Sequence, residues 1–127
     1  MSKEYVKGER EESRSYSRAV KARGGSTIYL AGVGGATDAQ GNLLDFPSQT
    51  RAAFAKLKDN LEATGGKLAD LTTMTVFITD VRYGDEFTQI RKEFLTGDYP
   101  GSALITVAGL ARPEMLVEIQ AIAVIDG

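Results

Sequence analysis

Residues 115–124 (MLVEIQAIAV) change character with a period of two. In an extended chain, Met115, Val117, Ile119, Ala121 and Ala123 share one side, and Leu116, Glu118, Gln120, Ile122 and Val124 share the other. The first side is wholly apolar and needs a covering layer. The second sets a carboxylate and an amide among aliphatic neighbours, too polar for a core and too apolar for plain solvent surface. No other stretch limits the fold as tightly. It calls for a sheet with one face packed by helices and an opposite face that meets something other than water.

The rest of the chain supplies those layers. Residues 16–22 and 27–33 read as strands joined by a Gly24-Gly25 turn, which predicts a hairpin. Residues 1–14 are charged and aperiodic and are expected to form a flexible or extended arm. Residues 34–46 are rich in Gly, Asp and Asn and read as a loop. Ser48 is the candidate N-cap of a helix that carries Phe54, Leu57 and Leu61 at helical spacing and closes at Gly65-Gly66. Residues 71–81 read as a strand. Residues 85–95 read as a helix on Phe87, Ile90 and Phe94, and residues 102–108 as another strand. The order β-β-α-β-α-β-β in 127 residues predicts one α+β domain spanning 1–127, a mixed sheet with two helices on one face. Two helices cover one face only. The mixed face of the last strand is therefore expected to be buried between subunits.

Composition narrows the chemistry. The chain has no histidine and no cysteine, which removes the Ser-His-Asp triad, the thiolate nucleophile, disulfides and the common zinc ligands. No metal site is expected, because Asp80 and Asp85 read as turn and helix-start residues and no calcium-loop spacing occurs. A net charge of −2 gives no basic stripe for nucleic acid and no case for a membrane surface. No apolar run approaches the ~20 residues of a membrane span. The first residues lack the apolar core of a signal peptide, so a cytoplasmic location is expected.

Carboxylates, hydroxyls, Tyr, Lys, Arg and backbone amides remain. Glu118 reads either as a charge on an exposed sheet face or as a carboxylate in an interface cleft, able to move a proton or position a water. Tyr16 and Arg18 share a strand face, either as a cross-strand amphipathic pair or as a phenol and a guanidinium lining a pocket. The segment AGVGGATD, residues 31–38, lacks the helix that a dinucleotide-binding turn opens. It reads instead as a bent strand end with Gly32 admitting a close neighbour. Ser102 offers a hydroxyl with no partner base nearby in sequence.

Several of these segments, taken in order, resemble one family. They are YSRAV at residues 16–20, LAG ending at Gly32, Gln49 and Asn60, TVFITD at 75–80, the Pro100-led strand, and VEIQAIAV at 117–124. Together they resemble the Rid family of reactive-intermediate deaminases, also called the YjgF family, over roughly residues 15–125. The resemblance implies a chorismate-mutase-like fold assembled as a homotrimeric barrel, with helices outside and clefts between subunits. It implies that Glu118 is the catalytic glutamate that positions a water, that Tyr16 lines the cleft, and that the Gly32 backbone N–H touches the ligand. No cofactor is implied.

The departures matter as much. Imine deaminases of the family carry Pro-x-Arg-Ser, whose arginine grips the substrate carboxylate. Here the segment is Pro100-Gly101-Ser102-Ala103, with Ser102 at the arginine position. The family's serine before the glycine is Ala31, and the loop 109–114 is one residue longer. This pattern is similar to arginine-less branches such as 2-aminomuconate deaminases. An arginine–carboxylate bond contributes about 1.5–3 kcal/mol, so its loss is expected to cost roughly one to two orders of magnitude for 2-imino acids unless another cation substitutes. Arg18 and Arg112 are the candidates, against bland readings as a surface residue and a loop charge. The expected function is hydrolysis of a C=N or enamine bond in a small reactive metabolite. The alternative is a non-catalytic trimeric protein that binds or reports a small molecule. Ribonuclease activity, sometimes attached to the family, is poorly served by an acidic chain without histidine.

Overall fold

The computed structural model describes residues 1–127. Its elements are β1 (Ser2–Val6), α1 (Glu9–Ser13), β2 (Ala19–Arg23), β3 (Ser26–Tyr29), α2 (Phe46–Ala63), β4 (Leu71–Ile78), α3 (Gly84–Phe94), β5 (Gly101–Thr106) and β6 (Val117–Ile125). Short 3-10 turns at Leu68–Asp70 and Val81–Tyr83 lead into β4 and α3.

β6 sits inside a four-stranded sheet of order β3-β6-β4-β5. Its apolar side explains that position. Val117, Ile119, Ala121 and Ala123 are buried, and they align with Met74, Val76 and Ile78 of β4 under the helices. β4 and β5 run parallel and are joined through α3, while the other pairs are antiparallel. α2 lays Phe54, Leu57 and Leu61 on this surface, all fully buried. Each such side chain contributes about 1.5–3 kcal/mol. Phe54 stacks on Phe94 at 4.5 Å and on Phe87 at 6.0 Å, locking α2 to α3. The fold is α+β, with two long helices on one face of a mixed sheet.

The opposite face has no cover within the chain. Tyr29, at 79% exposure, and Ile105, at 42%, stand on it with Phe77, Glu118, Gln120 and Ile122. No helix is long and apolar enough to cross a membrane.

Three local expectations change. The Gly24-Gly25 turn is present, at φ +67° and +76°, but its flanking strands do not pair with each other. β2 pairs with β1 across Ser2↔Arg23 to Val6↔Ala19, and β3 pairs with β6. The turn chemistry is that of a hairpin, yet β3 finds a better partner in the apolar internal strand β6. Residues 1–14, expected as a flexible or extended arm, hold the partner strand β1 and the one-turn helix α1. The first long helix begins two residues before Ser48. Asp45 is its N-cap and accepts from the Ser48 N–H at 3.0 Å. Pro47 fits the first turn because its missing N–H is not needed there.

Candidate functional site

The site begins with a defect in the β3–β6 ladder. The Leu30 N–H donates to the Ala121 carbonyl at 3.1 Å, and Val33 exchanges two bonds with Ile119 at 2.9 Å. Ala31 and Gly32 therefore oppose the single residue Gln120. This is a β-bulge, a device that re-aims the chain beside a site. The bulge brings the Gly32 backbone against the Glu118 side chain. A Cβ on Gly32 would lie 2.7 Å from Glu118 Oε2, so only glycine admits the carboxylate there. The Gly32 N–H donates to no backbone acceptor. A half-buried carboxylate and a free amide thus meet on the open face of the sheet.

Gln49 fixes the lead-in to Glu118. It is 1% exposed and reaches from α2 to the loop before β6. Its side-chain amide donates to the carbonyls of Leu44 (3.1 Å) and Glu114 (3.0 Å), and its oxygen accepts from the Leu116 N–H at 2.9 Å. Two of these three bonds go to the loop before β6 and set the register of β6 at its first residues, while the third ties in the segment before α2.

Tyr16 and Ser102 lie elsewhere, together. Both line a pocket of about 280 Å³ that Arg10, Arg14 and Arg91 also line. Ser17 bridges to Gly101, which carries this edge of the chain alongside β5. Ser102 aligns with the core-facing Met74, so it points to the helix side of the sheet, whereas Glu118 aligns with Phe77 on the open side. At about 3.3 Å per residue and 4.8 Å per strand, the backbones of Tyr16 and Glu118 are roughly 22 Å apart in one subunit. The chain therefore presents two separate clusters: Glu118 with Gly32 and Ala31, and Tyr16 with Ser102.

The candidate replacement cations join neither cluster. Arg18 is exposed, lies against Gly8 and lines no pocket. Arg112 lines a separate pocket of about 380 Å³ with Lys56, Glu114 and the Gly34-Gly35 backbone. The cation beside Ser102 is Arg91 of α3, which sequence reasoning passes over. Its Nη1 donates to Ser102 Oγ at 2.7 Å, its Nε to Ser15 Oγ at 2.9 Å and its Nη2 to the Arg14 carbonyl at 3.1 Å. Burial, then the like charge of Arg14, pushes the guanidinium down to about 10, so it stays charged at neutral pH. The signal was in the spacing. Arg91 is one turn from Phe87 and from Phe94, on the buried stripe of the helix. Asp80 and Asp85 act as read, the first accepting from the Arg82 N–H and the second opening α3. No group of three or more acidic residues is arranged to hold a metal.

With this geometry in hand, comparison with known proteins is direct. A family model described as endoribonuclease L-PSP matches residues 9–125. The solved structure of YyfB from Yersinia pestis, a conserved Rid-family protein of unknown function, is 28% identical. It superposes with a TM-score of 0.84 over 98% of this chain and 100% of that one. The chain belongs to the Rid (YjgF) family. Rv2704 from Mycobacterium tuberculosis, a member of the YjgF/YER057c/UK114 family, is 30% identical with a TM-score of 0.71, covering 98% of this chain and 100% of that one. RidA from an Antarctic Psychrobacter is also 30% identical, with a TM-score of 0.73 over 87% and 89% of the two chains. In this Rid protein, a guanidinium reaches Ser102 from α3.

Proposed function

We propose that this Rid-family chain is a deaminase that hydrolyses the C=N bond of a small imine, or of an enamine after tautomerisation. The observation that carries the reading is the contact between the Gly32 backbone and the Glu118 carboxylate. Water adds to the electrophilic imine carbon. Glu118 orients that water, takes its proton as the C–O bond forms, and returns a proton to the nitrogen. Glu118 next takes the proton of the new hydroxyl and passes it to the nitrogen, the C–N bond breaks as the C=O bond forms, and a carbonyl compound and ammonia leave. The free Gly32 N–H donates to the oxygen as charge develops on it.

The separation of the two clusters supports a cleft shared between subunits. A molecule the size of a small imine cannot span roughly 22 Å, the backbone separation that strand spacing gives. The uncovered sheet face, with Tyr29 and Ile105 exposed, supplies the surface for a homotrimer that brings Glu118 of one subunit to Tyr16 of the next.

The test is ammonia release from 2-iminobutyrate generated in situ, run beside Glu118→Gln. The expected result is turnover above background, reduced at least a hundredfold in the variant, the lower range of general acid–base catalysis. No turnover in the wild-type protein, or equal turnover in both, contradicts the proposal.

A further inference from the structure

Arg91 is 2% exposed and charged, and it has no carboxylate partner. Each buried charge ordinarily has one, because desolvation is costly without a counter-ion. Of the acidic groups on its own helix, Glu93 pairs with Arg51 at 2.8 Å, and Asp85, 92% exposed, pairs with Arg14 at 2.9 Å. Arg91 spends one N–H on each of Ser15, Ser102 and the Arg14 carbonyl. Of its five donors, one on each terminal nitrogen is left without a protein acceptor. The pocket that Arg91 lines also holds Arg10, paired with Glu11 at 3.7 Å, and Arg14, paired with Asp85, so Arg91 is the lining guanidinium without a carboxylate; Arg10 also donates to the Tyr16 hydroxyl at 3.3 Å.

We infer that Arg91 is the anchor for the carboxylate of the ligand, delivered from α3 into the pocket it shares with Tyr16 and Ser102. The inference deepens the deaminase reading and takes from it only the identity of the ligand. The hydroxyls of Ser15 and Ser102 and the Arg14 carbonyl hold the guanidinium plane, and the Phe87 ring backs it at 5.1 Å. A carboxylate entering the pocket accepts the two remaining N–H groups as a fork and supplies the missing counter-charge. Two consequences separate this from a structural role for Arg91. Binding must follow the ligand's charge, and removing the guanidinium must weaken the charged ligand while leaving a neutral one of the same shape unaffected. A purely structural loss, from freeing Ser102 Oγ and the Arg14 carbonyl, would weaken both ligands alike.

The experiment is calorimetric titration and thermal melting with two stable probes, 2-oxobutyrate and its neutral amide. Wild-type protein is expected to bind the acid at least tenfold more tightly than the amide. Arg91→Met, titrated below its own melting temperature, is expected to weaken the acid by roughly ten- to a hundredfold and to leave the amide unchanged. Arg91→Lys restores part of the acid's affinity, since it returns the charge without the fork. Ser102→Asp provides a second route that does not touch Arg91. It sets a carboxylate at the guanidinium, and is expected to raise the melting temperature and exclude the acid. Equal affinity of wild type for acid and amide, unchanged acid binding in Arg91→Met or Ser102→Asp, or dissociation of the oligomer by Arg91→Met would each overturn the inference. The last would mean that a partner subunit's carboxylate neutralises Arg91. Because binding is read without turnover, an inactive protein that still binds the acid through Arg91 removes the deaminase reading alone.

Discussion

At the scale of single residues, the account rests on Gly32 and Glu118. The conflict created by a Cβ at Gly32 is with a carboxylate oxygen at the end of a flexible side chain, 2.7 Å away, and not with backbone. Gly32→Ala should therefore fold normally and push the Glu118 carboxylate aside. The expected outcome is a melting temperature within about 2 °C of wild type, with ammonia release down by tenfold or more, since misplacing a catalytic group by about 1 Å costs on that order or beyond. A large loss of stability with activity per folded molecule intact would contradict the contact. The period of two placed Glu118 on its sheet face directly. It could not reveal the bulge, because a bulge is a relation between two strands. Arg91 was legible one turn from Phe87, but a lone arginine on an apolar helix stripe announces no partner until Ser102 is seen opposite.

At the scale of elements, what the sequence announced was what it holds locally. α2 and α3 follow the spacing of Phe54, Leu57, Leu61, Phe87, Ile90 and Phe94, and β4 and β6 follow their β-branched and alternating residues. The pairing of β1 with β2 was hidden because β1 is a charged edge strand whose partner lies beyond α1. The bond network of Gln49 was hidden for the same reason, joining α2 to residues about 65 positions away. Gln49→Leu fills the space but leaves the Leu116 N–H and the Glu114 carbonyl without partners. It is expected to destabilise the fold by about 1–3 kcal/mol, measured by urea unfolding, and to lower activity through the mispositioned start of β6. Phe54→Ala removes the ring that joins α2 to α3, with an expected loss of about 3–5 kcal/mol in the same measurement.

At the scale of the whole molecule, two properties follow. The first is acid sensitivity. Hydrogen bonds from Asn42 lower Asp38, those from Ser48 lower Asp45, those from Arg51 lower Glu93, and the Arg82 side chain lowers Asp80 to about 2. Each group binds its proton less firmly folded than unfolded. The stability they lend is therefore complete above the ordinary carboxylate range and is lost as the pH falls through their folded values. Thermal melts should be level from about pH 5 to 8 and decline from about pH 4 towards pH 2. The second is the proposed assembly through the open sheet face. Tyr29 is 79% exposed, so Tyr29→Glu leaves a single chain's core untouched. Light scattering is expected to show a trimer for the wild type and a smaller species for the variant.

Assembly and chemistry meet in one measurement, subunit complementation. Glu118→Gln and Tyr16→Ala proteins, each expected to be nearly inactive, are unfolded, mixed in equal amounts and refolded together, and ammonia release is recorded. If each site takes Glu118 from one subunit and Tyr16 from its neighbour, random assortment restores roughly a quarter of the wild-type activity. A mixture no more active than its components would contradict a site built across the subunit boundary.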